Sequence, residues 1–390
     1  TLVALGGLHA YSHQLVHGLV TTGMTDQVSW GLYIANFTYL VGLAAAAAML
    51  VIPVYIYRNL HLHDVVIFGE LLAVSVIFMC LMFVMADLGR PDRFMHLIWR
   101  FNFPISMLTW DVIALNGYLL LNLHICGYLI YCAYCGRKPS KAFYIPFVFI
   151  AIVWAISIHT VTAFLYVGLG GRPFWNSAII APRFLASAFA AGPAFIVLTL
   201  QVVRHFTRHQ VSDDALLTLR RIMQVAMIIN VFLLACEVFT EFYADTRHIA
   251  SAQYLYLGLH GKNALLLWIY SAIGMSVVAT VLLVLPASRG LRVLNVACVL
   301  AIVGIWIEKG MGLIVPAFVP TPLGEIVEYF PTAHEIMVCL GIWATGLLIY
   351  TILVRVSVPV LAGQITYARR WDAPARSEER RVGKECRSRW

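Results

Sequence analysis

The sequence predicts an all-α polytopic membrane protein with about ten transmembrane helices, and two observations carry that prediction. Of its 390 residues, 61% are hydrophobic and 12% charged, with a mean hydropathy of +0.83. A soluble domain carries about twice that charge fraction. Apolar runs then recur along the whole chain, each close to the roughly 20 residues that cross a bilayer as a helix. No Gly-rich phosphate loop, HExxH pair or nucleophile triad interrupts them, so the chain has no visible means of group transfer on its own.

The expected spans lie near 1–20, 29–57, 65–87, 104–134, 143–169, 179–204, 221–243, 262–286, 291–316 and 333–357. His9, His13 and His17 form one imidazole stripe on the first, which either lines a helix interface or ligates haem. His124 and His159 stand alone on their spans, without the repeated partners of a transmembrane haem site. The second span, WGLYIANFTYLVGLAAAAAML, offers Trp30 and Tyr33 as an aromatic anchor at the outer interface. Its Gly42 and Ala44–Ala48 form a smooth face for a close neighbour. The third and fifth spans end in Gly89-Arg90-Pro91 and Gly170-Gly171-Arg172-Pro173, where glycine stops the helix and proline prevents its restart. Cys132 and Cys135 are a lone pair at a helix end, which reads as packing, and no metal site is expected.

An even number of spans puts both ends on one side of the membrane. Thirteen Lys and Arg flank the spans on that side against eight on the other, so the positive-inside rule places the termini in the cytoplasm. Residues 376–390, RSEERRVGKECRSRW, resemble a translated sequencing adapter and are set apart as non-native. Without them the net charge falls from +8 to +5, and nothing points to nucleic acid. Residues 1–375 read as one integral membrane domain whose native start is expected upstream, because the chain opens inside an apolar helix without Met.

Ionisable groups within spans are costly and mark candidate sites. Asp111 lies on the fourth span, His159 on the fifth, Arg183 on the sixth, Glu237 and Glu241 one turn apart on the seventh, Glu308 and Lys309 on the ninth, and His334 and Glu335 open the tenth. All fall in the outer half, and their convergence predicts a polar pocket opening outward, suited to a quinone headgroup or to protons. Glu70, near the opposite end of the third span, reads as packing or as a proton entry. The structural alternatives are interfacial positions for Arg183 and Glu335, and a local pair for Glu308.

The ordered stretches DQVSWGLYIANFTYLVGLAAAAAML, ADLGRPDRF, FPISMLTWDV and SIHTVTAFLYVGLGGRPFWNSA, with the Glu-bearing outer helices, resemble NrfD-type membrane subunits of polysulfide reductase-like (PsrC-like) complexes. Among these the likeness is strongest to the ten-span DsrP-like and HybB-like branch, over nearly all of 1–375. The resemblance implies a core of two four-helix bundles without haem or metal of its own. It implies quinone or menaquinone as substrate and a ferredoxin-like iron–sulfur subunit docked on the outer face. It also implies further complex subunits, surrounding lipid, a bacterial or archaeal cytoplasmic (inner) membrane, and a place in sulfur or sulfite metabolism. Carried over by motif, His159 and Asp111 become headgroup or proton partners, followed by Glu237, Glu241, Asn36 and Tyr33. Arg90, Asp92, Arg93 and Arg172 become docking charges, and Asp87–Arg100 the lip of the pocket. Three alternatives stay open: a haem-b quinol oxidoreductase, an ion-coupled secondary transporter with an inverted repeat and broken helices meeting at the midplane, and a purely structural anchor whose pocket binds lipid while electrons bypass it.

Overall fold

A computed structural model describes residues 1–56, 62, 65–207, 211–243 and 249–367. The adapter-like segment 376–390 lies outside them, as do Arg58, Arg208, Arg247, Arg369 and Arg370 of the orientation count. Among the described residues, eight helical segments are long and apolar enough to cross a membrane. They are α4 (Val66–Asp87), α6 (Met107–Tyr134), α7 (Lys141–Val167), α8 (Ile180–Phe206), α9 (Asp213–Tyr243), α11 (Leu266–Val284), α12 (Leu291–Lys309) and α14 (Ala333–Leu361). The short α13 (Met311–Ile314) prolongs α12, and α5 (His96–Trp99) and α10 (Ile249–Tyr256) lie in connections.

The first two expected spans differ from the rest. α1 (Leu2–His17) has 16 residues, and the second span divides into α2 (Leu32–Ala44) and α3 (Ala46–Tyr55). At Ala45 ψ rises to −1°, away from helical values, and the bonding ladder is interrupted there. α9 begins eight residues earlier than expected, because Asp213 and Asp214 open the helix, where carboxylates complement its dipole.

Two four-helix bundles form the core. One comprises α2–α3, α4, α6 and α7, the other α8, α9, α11 and α12, and they meet where α2 packs on α8. Gly42 faces Ala188 of α8 at that crossing, close enough that a Cβ there would lie in ordinary contact with the Cβ of Ala188 at 3.8 Å. α1 and α14 pair with each other and lie against α4. Gly7 and Gly341 stand at their crossing, where a side chain on either would collide with the other's backbone. The most apolar stretch of α4 is 83% buried, whereas α9 and α11 bury about a third or less (33% and 28%). Their outward Phe232, Leu267 and Val281 stay exposed, a surface suited to lipid and costly in water. The chain is thus a multi-pass membrane protein. We call the end where α1, α4, α7, α9 and α12 finish the distal end, and the opposite one the terminal end.

Candidate functional site

With a rise of 1.5 Å per residue, the buried Asp, Glu, His, Lys and Arg side chains of the long helices lie within the last three turns before the distal end, Glu70 and Arg220 apart. They form two separate groups. In the first bundle, Asp111 near the start of α6 is 2% exposed and accepts a 2.6 Å hydrogen bond from Thr162 of α7. His159, one turn away on α7 and 1% exposed, donates from Nδ1 to the carbonyl of Ala155 at 2.9 Å. The hydroxyl of Thr38 donates to Ile34 O at 2.7 Å, so Tyr166 is the donor in the 2.5 Å contact between their hydroxyls. Tyr166 stands within electrostatic reach of both Asp111 and Asp87. Asn36 is a junction: its Oδ1 accepts from Trp306 at 3.0 Å and Trp343 at 2.8 Å, tying α2 to α12 and α14.

The second bundle holds a different kind of site. Arg183 of α8 bonds Glu308 of α12 at 2.7 Å and pairs with Glu237 of α9. Asn230 donates to the other oxygen of Glu308 at 3.3 Å, and Lys309 stands 3.9 Å from Glu308 and 5.1 Å from the centre of the Phe184 ring. Two carboxylates and two cations balance, each at most 7% exposed. The structural alternatives, an interfacial Arg183 and a purely local pair for Glu308, are therefore set aside: three helices share one network. Glu241, a turn nearer the distal end, is half-buried within reach of Tyr256. A void of about 10 Å³ between Thr38, Gly42, Ser187 and Lys309 separates the groups, with room for a single water. The single outward-opening pocket expected from the sequence is thus replaced by two close-packed groups.

Open space lies beside them, between α1 and the segment after α4. A cavity of about 290 Å³ at the distal end is lined by Tyr11, Gln14, Gly89, Arg90 and Asp92. A second, mostly apolar one of about 240 Å³ shares Tyr11 and runs between α1, α4 and α14. Gln14 links the first cavity to the core: it donates to Ala86 O at 2.7 Å and accepts from Tyr33 at 2.6 Å. Tyr33 is fully buried, and Trp30 packs on Tyr166, Trp175 and Phe318, so neither anchors the chain at a lipid interface. The reason is that α2, central to both bundles, has no lipid-facing side.

The outer charges divide similarly. Arg90 forms a bidentate pair with Asp92 at 3.0 and 2.9 Å, both exposed, and Asp92 is held below its ordinary range mainly by that hydrogen bond. Arg93 is exposed. Arg172 lies 4.2 Å over the Phe318 ring, and its partial burial lowers its pKa. Glu335 is fully buried and organises the fold rather than the interface: it accepts from the backbone of Leu32 at 3.2 Å and Gly23 at 3.1 Å, and from Tyr329. Gln14 and Tyr11 escaped the sequence reading because an amide and a phenol inside an apolar helix carry no motif. The imidazole stripe drew attention instead, yet His13 and His17 are exposed and stack on each other, with His334 5.2 Å from His13.

A family model described as "Polysulphide reductase, NrfD" matches residues 20–319. The chain is 26% identical to the membrane subunit of a putative dimethyl sulfoxide reductase of Halobacterium salinarum, over 89% of this chain and 87% of that one. It is 22% identical to the Hdr-like menaquinol oxidoreductase integral membrane subunit of Archaeoglobus fulgidus, over 91% of each. It is 26% identical to a selenate reductase subunit of Mesobacillus selenatarsenatis, over 93% of each.

Proposed function

This chain belongs to the polysulphide reductase NrfD family, and from that premise we propose that it is the membrane subunit that exchanges electrons between quinone or menaquinone and an iron–sulfur subunit docked at its distal end. The observation that carries this reading is the pair of cavities meeting at Tyr11, polar toward Arg90 and apolar toward Met85 and Ile342. Their volumes suit a ring headgroup in one and the start of a prenyl chain in the other; each alone is smaller than an ordinary ligand pocket of about 300 Å³ or more, and the two together fall within that range. Relatives named for reductases and for menaquinol oxidation support the same class of work.

A quinol gives up two electrons and two protons, so the site needs acceptors and a way out for protons. Gln14 and Tyr11 orient a headgroup, while Asp87, Tyr166, Asp111 and His159 are the groups that hold protons. The segment 88–92 forms the lip, and Arg90, Asp92 and Arg93 face the partner. The distal end then faces outside the cytoplasmic membrane and the termini lie in the cytoplasm. Sulfur or sulfite metabolism, as in DsrP-like complexes, and hydrogenase-linked HybB-like chemistry are the finer candidates for the partner complex. The transporter alternative has less support: α2–α3 breaks within its span, but the break between α12 and α13 lies at the distal end rather than the midplane.

Titration of the purified chain with a fluorescent quinol analogue tests the reading. Saturable quenching that weakens in Gln14→Leu is expected, with His159→Ala changing proton-coupled turnover more than affinity. A folded wild type without saturable binding, alone and with its iron–sulfur partner, defeats it.

A further inference from the structure

At the terminal end, far from the distal cavities, we propose a binding site for the headgroup of an anionic phospholipid. A cavity of about 680 Å³ opens where α3, α6, α7 and α14 end or begin, with Arg137, Lys138, Lys141, Tyr55, Tyr144 and Leu361 in its walls. Its described lining holds three cations and no carboxylate, and none of the three forms an ion pair with a described residue. Three like charges within five residues repel one another, and an anion among them relieves that repulsion. Lys141 also opens α7, whose first-turn N–H groups add partial positive charge, and the capping Ser140 makes no side-chain bond to them.

The rest of the wall suits a lipid rather than a free anion. Tyr55 and Tyr144 meet edge to face at 6.3 Å, a pair typical of headgroup depth, and Leu129, Val66 and Ile67 continue the surface as an apolar slope. Inorganic phosphate would fill a small part of that volume, whereas a phosphodiester headgroup with the first carbons of its chains matches both the charge and the slope. Basic pockets between spans at a membrane surface hold anionic headgroups by this combination. The site rests on the geometry of the terminal end alone and is independent of the quinone reading.

The test equilibrates the purified full chain with detergent micelles containing phosphatidylglycerol or phosphatidylcholine, and reads retained lipid by native mass spectrometry. Phosphatidylglycerol is expected to be retained about tenfold or more over phosphatidylcholine. Arg137→Gln/Lys141→Gln should erase that preference, while Arg289→Gln/Arg292→Gln, with the same charge change elsewhere at this end, should keep it. Equal retention of the two lipids by the wild type overturns the proposal and requires no variant. So does undiminished preference in a cavity variant that melts like the wild type. Displacement of the lipid by millimolar inorganic phosphate would assign the site to the free anion and overturn the lipid as its occupant.

Discussion

The two bundles bury polar side chains at the same depth by opposite means. The second neutralises Arg183 and Lys309 with Glu237 and Glu308, a closed set in which each charge answers another across helices. The first holds Asp111 against one hydroxyl and His159 against one backbone carbonyl, with no ion pair at either among the described residues. A balanced network resists gaining or losing a proton, because any change leaves a buried charge uncompensated. A carboxylate with a neutral partner has no such lock. Under the proposed function, the second bundle has a fastening role and the first carries the proton-coupled chemistry.

The comparison breaks most visibly at Arg183. Arg183→Met should leave two buried carboxylates against Lys309 alone, costing about 3–5 kcal/mol, with a large fall in folded yield and melting temperature. Adding Glu237→Met should restore much of that loss; if it restores none, the network is not the balanced unit described. Asn36→Leu comes next, since it strands the indole N–H groups of Trp306 and Trp343 in the interior. Each stranded donor costs about 1–3 kcal/mol, measured as a lower melting temperature in detergent.

Asp111→Asn should barely move the melting temperature, because the amide oxygen still accepts from Thr162. Quinol oxidation by the assembled complex should nonetheless fall about 10²-fold, the usual scale for losing a positioned acid–base group. Unchanged turnover would remove Asp111 from the proton path. The smallest effect on the fold belongs to Arg90→Gln/Arg93→Gln, with melting unchanged, but retention of the iron–sulfur partner should drop and become insensitive to salt. Unchanged retention would move the docking surface elsewhere.

Much of this architecture is legible in the sequence. Apolar length alone places the eight helices long enough to cross and, less well, the shorter α1 and α2–α3, and the small-residue face around Gly42 predicts a close neighbour, which is α8. The break at Ala45 is not legible, since a run of alanines carries no signal of where its helix is interrupted. Nor is the burial of Tyr33, because an aromatic residue near a span end reads equally well as an interface anchor or a core hydroxyl. The candidate charges were visible one by one, but their division was not. Depth follows from counting residues, whereas partnership between Arg183 and Glu308, 125 positions apart, depends on which helices become neighbours.

The central claim is that quinone meets the first bundle at the distal end. Photolabelling of the assembled complex with an azido-quinone, mapped by peptide mass spectrometry, tests it most directly. Labels on α1, the start of α2 and the segment after α4, lost under excess native quinone, are the predicted result. Competed labels confined to α8, α9, α11 and α12 would contradict it, and would reverse the roles of the two bundles.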